Sequence, residues 1–124
     1  MVLSDRKYTK DHEWVKFEGD VAEIGLTNYA QEQLGDIVYV ELPGAGDEIS
    51  VGGRLAVVES VKAASEVFCA VAGEVIEGNE ALEDAPEKIN EAPWEAWIAR
   101  VRVAEVSEER LMDAAAYEAL LAEG

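Results

Sequence analysis

Glu59-Ser60-Val61-Lys62-Ala63-Ala64-Ser65 lies between two apolar runs, Arg54-Leu55-Ala56-Val57-Val58 before it and Glu66-Val67-Phe68-Cys69-Ala70-Val71 after it. Two strand-like runs joined by so short a segment predict a hairpin. Lys62 then stands at the tip, where its amine projects into solvent and another enzyme can reach it. Ala63 and Ala64 follow it, and their small side chains leave room for a second protein to close around the turn. That placement suits a covalent attachment point better than a catalytic base. Taken alone, the same lysine reads as an ordinary solvated turn residue.

Working outward, the rest of the chain carries the same kind of pattern. Strands are expected at roughly 12–17, 20–26, 36–41, 54–60, 64–71, 73–78 and 96–104. Ala22, Ile24 and Leu26 alternate with Val21, Glu23 and Gly25, as in a half-buried strand. Glu18-Gly19-Asp20 joins the first two runs as a turn. Thr27 can cap a short helix that runs through Gln33 and ends at Gly35. Pro43–Asp47 reads as a loop, Gly52-Gly53 as a turn, and Ala72-Gly73 as a break after the lysine hairpin. Glu80–Glu91 reads as loop with a short helical turn. Beyond Val103, Ser107 can cap one helical turn and Asp113 a helix ending near Gly124. Met112, Ala116, Leu120 and Leu121 would share the face that packs on the sheet. A detached, partner-binding helix is the alternative. Many short strands punctuated by turns point to a sandwich or barrel.

Composition bounds the function. The chain has 124 residues, so one domain is the default, and its net charge is −17 from 27 acidic and 10 basic side chains. Such a surface repels phosphate backbones and anionic leaflets, which argues against nucleic acid and membrane as partners. It favours basic patches on other proteins, or simply keeps a small protein soluble. Cys69 is the only cysteine, so no intrachain disulfide can form. It reads as a buried, inert thiol. The N-terminus lacks the apolar stretch of a signal peptide, and the expected setting is cytoplasmic, or a mitochondrial matrix for a processed chain. His12, the only histidine, could in principle serve a small acidic enzyme with nearby carboxylates, but no nucleophile–base pair or metal-ligand spacing accompanies it. Trp14 and Trp97 read as packing residues.

Several stretches together resemble the H proteins of the glycine cleavage system. They are His12-Glu13-Trp14-Val15, Ile24-Gly25-Leu26-Thr27-Asn28-Tyr29-Ala30, Leu34–Pro43, Glu59-Ser60-Val61-Lys62-Ala63, Gly73–Ile76, Asn79–Leu82 and Pro93…Trp97. The likeness runs over nearly the whole chain. It implies a mainly β fold, the flattened barrel-sandwich hybrid of lipoyl and biotinyl domains, with short helices and a C-terminal helix. Residues 1–124 would form one lipoyl-carrier domain, with the lipoyl-binding core at about 20–104 and a helical segment at about 105–124. Biotinyl carriers place methionines around the lysine, and lipoyl domains of the oxo-acid dehydrogenase complexes place Asp before it. Glu-Ser-Val-Lys-Ala is the glycine-cleavage form.

By this resemblance Lys62 carries lipoate, one group per chain, in amide linkage. The protein would be a non-catalytic shuttle. It would take the aminomethyl group of glycine from a pyridoxal-phosphate glycine decarboxylase (P protein) to an aminomethyltransferase (T protein). A dihydrolipoyl dehydrogenase (L protein) would reoxidise the arm, and a lipoate ligase or lipoyl/octanoyl transferase would install it. The alternative is a lipoate relay protein that passes lipoyl groups to other complexes. Glu13 and Glu66 match positions lining the cleft that shelters the loaded arm, although either could be an ordinary solvated carboxylate. Gln33 and Asp11 replace a histidine and a serine of some relatives, and Pro93–Trp97 is one residue shorter than usual.

Overall fold

The alternation at 21–26 does bury one face: Ala22 and Ile24 are inaccessible to solvent in the computed structural model, which describes residues 2–123. The expected helix end at Gly124 lies outside the described residues. Along the chain come β1 (Lys7–Tyr8), β2 (Glu13–Glu18), β3 (Val21–Leu26), α1 (Asn28–Leu34), β4 (Ile37–Glu41), β5 (Glu48–Ile49) and β6 (Arg54–Ser60). There follow β7 (Ala64–Phe68), β8 (Val71–Gly78), α2 (Ala81–Asp84), α3 (Lys88–Glu91), β9 (Ala99–Val106), a 3₁₀ turn (Glu108–Arg110) and α4 (Ala114–Glu123).

The strands form two antiparallel sheets, a six-stranded one in the order β1-β2-β3-β9-β8-β5 and a three-stranded one in the order β4-β6-β7. Val15, Ile24, Val75 and Val101 from the first pack with Val40, Val58 and Val67 from the second in one apolar cluster. Each such buried aliphatic side chain contributes roughly 1.5–3 kcal/mol. This mainly β pair of packed sheets is the barrel-sandwich architecture.

Local chemistry sets the boundaries. The Thr27 side chain accepts the Ala30 N–H and starts α1, and Gly35 at φ 80° closes it, as its sequence indicates. Gly19 at φ 61° makes the tight β2–β3 turn. The Asp113 carboxylate accepts the Ala116 N–H at 2.9 Å and starts α4.

Three expectations need correction. The break after the lysine hairpin falls at Cys69-Ala70, and Gly73 lies inside β8. A Cβ on Gly73 would sit 1.9 Å from the Arg102 carbonyl oxygen, so glycine permits close strand approach at a bulge and does not end a strand. Glu80–Glu91 holds two one-turn helices, α2 and α3, which bury Leu82 and Ile89. The buried anchor of α4 is Tyr117, with Met112, Leu120 and Leu121 beside it, whereas Ala116 is exposed. Tyr117 stacks on Tyr8 with ring centroids 4.7 Å apart, which fastens α4 to the six-stranded sheet.

Candidate functional site

β6 and β7 pair in register Val57↔Glu66, Val58↔Ser65 and Glu59↔Ala64, and the turn between them carries Lys62. Ser60 shapes that turn. Its N–H donates to the Ala63 carbonyl at 2.8 Å, and its hydroxyl oxygen accepts the Lys62 and Ala63 N–H groups at 3.1 and 3.2 Å. The same hydroxyl donates to the Ala63 carbonyl at 3.1 Å. A serine closing a turn with its own side chain needs no glycine there. Val61 and Lys62 are exposed, and among the described residues Lys62 makes no ion pair.

The tip is supported from beneath. A Cβ on Gly35 would lie 3.4 Å from Lys62 Cε, so the aliphatic stem crosses over that glycine. Val61 N–H donates to the Asp36 carbonyl at 3.0 Å. Asn90, on α3, holds the same segment. Its Oδ1 accepts the Ile37 N–H at 2.8 Å, and its amide donates to the Gly35 carbonyl and to Gln31 Oε1, both at 2.9 Å. Asn90 carried no signal in the sequence, because it lies in a charged stretch whose contacts are all distant along the chain. The hairpin therefore presents a free amine on a rigid mount.

Glu13 and Glu66 occupy different environments. Glu13 is buried at 3% exposure; Oε2 accepts the Phe68 N–H at 2.9 Å and Oε1 accepts from the Thr9 hydroxyl at 3.0 Å. β7 is an edge strand, so this bond occupies an edge donor and ties the two sheets together. Burial pushes the Glu13 carboxyl up to about 7, against the pull of those two hydrogen bonds. Glu13 also lines a cleft of about 290 Å³ with Asp11, Phe68, Cys69, Arg110 and Met112. Glu66 is exposed on β7, two residues before Phe68, and does not line that cleft. Gln33 is exposed on α1, outside the cleft. Cys69 is buried, and its thiol is raised to about 11 by desolvation, which keeps it protonated and unreactive at neutral pH.

His12 is committed to packing. Its ring lies 4.5 Å from that of Tyr29, and Nδ1 is 2.8 Å from the Tyr117 hydroxyl, which is itself 2.8 Å from Thr27 Oγ1. Burial lowers the His12 pKa, and the Tyr117 hydroxyl, bridging His12 Nδ1 and Thr27 Oγ1, joins α4 to the start of α1. His12 holds φ 69°, a left-handed conformation in the turn that leads into β2. Trp14 is buried and donates to the Pro93 carbonyl at 3.0 Å, while Trp97 carries the Arg100 guanidinium 4.0 Å above its ring. The Pro93–Trp97 segment is thus anchored at both ends. Among the described residues no group of His, Cys, Asp and Glu is arranged to hold a metal ion, and no helix is long and apolar enough to cross a membrane.

Residues 6–124 match the family described as glycine cleavage H-protein. The glycine cleavage system H protein of Phenylobacterium zucineum (strain HLK1) is 56% identical over 118 residues, covering 94% of this chain and 98% of that one. The protein of the same name from Nitratidesulfovibrio vulgaris (strain DP4) is 52% identical over 122 residues, covering 98% and 95%. The crystal structure of a glycine cleavage system H protein from Mycobacterium marinum superposes with a TM-score of 0.91 at 35% identity, over 98% of this chain and 99% of that one.

Proposed function

Because the chain belongs to the glycine cleavage H-protein family, we propose that Lys62 is where it carries lipoate, as the shuttle of that system. The observation that carries the assignment is the geometry of the tip: an exposed, unpaired amine whose stem is braced over Gly35 and whose turn is closed by Ser60. These residues fit an amide-linked arm. The amine is exposed and Ala63 and Ala64 add no bulk. When bound, the lipoyl group supplies thiol–disulfide chemistry and bears the aminomethyl group of glycine.

What the chain itself contributes is position and shelter, without catalysis. The β6–β7 hairpin holds the attachment point away from the core, and the cleft beside Glu13 offers a partly dry surface. Glu13 and Glu66 are proposed as the carboxylates that attract the ammonium of the cargo, Glu13 from the cleft wall and Glu66 from the outer face of β7. The glycine decarboxylase, the aminomethyltransferase and the dihydrolipoyl dehydrogenase are the proposed partners, with a lipoate ligase or lipoyl transferase for attachment. The proposed setting is the cytoplasm, and the bacterial relatives support it. All of residues 1–124 are taken as one carrier domain.

Peptide mass spectrometry on protein from its native host should find one lipoyl group, on Lys62. Lys62→Arg should remove it and all shuttle activity, with a stability change of about 0.5 kcal/mol or less. Lipoate on another lysine, or biotin on this one, would overturn the assignment.

A further inference from the structure

A cleft of about 600 Å³, larger than the one beside Glu13, opens between β4, the Pro43–Ala45 loop, the end of β8 and α2. Its lining combines aromatic and apolar side chains with exposed carboxylates. Tyr39, half exposed, and the partly covered Leu42 and Trp97 are its larger apolar residues. Glu41, Glu77, Glu80 and Glu83 line it as well, and no lysine, arginine or histidine does. Arg100 binds Glu77 at 3.1 Å, yet among the described residues Glu41, Glu80 and Glu83 have no ion-pair partner.

The groove shares β4 with the sheet that carries the hairpin. Tyr39 pairs with Glu59 on β6, three residues short of Lys62, so at most ~10 Å of chain separates Glu59 from the lysine. A protein engaging an arm on Lys62 therefore has this groove within reach.

We propose that this groove is the docking site for a basic surface segment of a partner enzyme, which lays an arginine or lysine against Tyr39 between the unpaired carboxylates of the lining. The inference rests on the carrier reading for its partner and names where on the chain that partner binds. Charge complementarity selects the occupant. A cation gains from the aromatic face and from three carboxylates that have no ion-pair partner among the described residues. An acidic or purely apolar segment would leave those carboxylates desolvated without a partner. One aromatic ring of the groove already shows the mode, since Arg100 covers Trp97 at 4.0 Å.

The test compares charge placement at constant total charge. Glu41→Arg with Glu83→Arg alters the groove, and Glu105→Arg with Glu118→Arg makes the same change in net charge on exposed positions of β9 and α4. Affinities of the lipoylated proteins are measured for the purified glycine decarboxylase, the aminomethyltransferase and the dihydrolipoyl dehydrogenase. For at least one enzyme, the groove pair should weaken binding tenfold or more and the control pair threefold or less. Tyr39→Ala should weaken the same enzyme about fivefold or more while the unfolding midpoint stays unchanged. Equal losses from groove and control pairs with every enzyme would overturn the proposal, as would an unaffected Tyr39→Ala. Intact mass on the same samples reads Lys62 modification separately, and Lys62→Arg should keep the dependence of docking on the groove pair. A missing lipoyl group therefore sinks the carrier reading, whereas a missing dependence on the groove pair sinks only the groove.

Discussion

Glu13 shows how one buried carboxylate ties structure to pH. Because burial holds its pKa near 7 against an ordinary 4.5, the folded protein retains a proton that the unfolded chain has released across that interval. Stability contributed by this residue is therefore highest below pH 4.5, falls as pH rises towards 7, and levels off above it. The full cost is about 3 kcal/mol, since each pKa unit corresponds to about 1.4 kcal/mol. Glu13→Gln keeps an acceptor for Phe68 N–H and has no charge to desolvate. Urea unfolding at pH 5 and pH 8 should show the wild type losing about 1–3 kcal/mol relative to the variant over that range; parallel profiles would mean that Glu13 is better solvated than its burial indicates. Glu66 is the converse case, an exposed carboxylate whose proposed value lies in the cargo. In loaded carrier freed of enzymes, formaldehyde release should accelerate by about tenfold for Glu13→Ala, and for Glu66→Ala if the outer face of β7 takes part, in line with loss of a charge-assisted contact. Wild-type decay in both variants would reduce the two to a structural tie and a surface charge.

The lysine hairpin is only as rigid as the elements beneath it. Asn90 spends three hydrogen bonds on Gln31, Gly35 and Ile37, and Ile37 is itself buried. Asn90→Ala should cost about 1–3 kcal/mol, because a buried N–H loses its partner. Hydrogen exchange should then quicken at Ile37 and Val61 before it changes at Val101 in the core. Uniform acceleration would mean global destabilisation and no special link from α3 to the tip. None of this was legible in the sequence. The hairpin, β2, β3, α1 and β9 were, because alternating apolar residues, Gly19 and the Thr27 cap are local signals that act within a few residues. β1 and β5 were not, since two residues cannot show a period and both exist only by pairing with a partner strand. Gly73 read as a break because its need is steric and lies across the sheet, at Arg102. Tyr117 was passed over for Ala116 because alanine fits either face of a helix, and the stacking partner Tyr8 is over a hundred positions away. At the site, the exposed tip position of Lys62 was legible from its frame, whereas the opposite environments of Glu13 and Glu66 emerge only once β2 and β7 meet.

At the scale of the molecule, the charge of −17 acts on two quantities in opposite directions. Like charges crowded on a small surface repel one another and weaken the compact state, and salt relieves this. The same field draws in basic partners from a distance, and salt weakens that attraction. The screening length shrinks from ~30 Å at 0.01 M to ~8 Å at 0.15 M, which spans the size of the domain at one end and a single side-chain contact at the other. Raising salt over that interval should therefore raise the thermal midpoint of the isolated carrier by a few degrees. It should lower its association rate with the glycine decarboxylase by about tenfold or more. Stopped-flow association and thermal unfolding on the same preparations read the two effects side by side. Rates that ignore salt would mean the acidity serves solubility alone and would leave docking to short-range contacts. A midpoint that falls as salt rises would mean that the surface and half-buried ion pairs, Arg100 with Glu23 and Glu77 foremost, outweigh the repulsion among the remaining carboxylates.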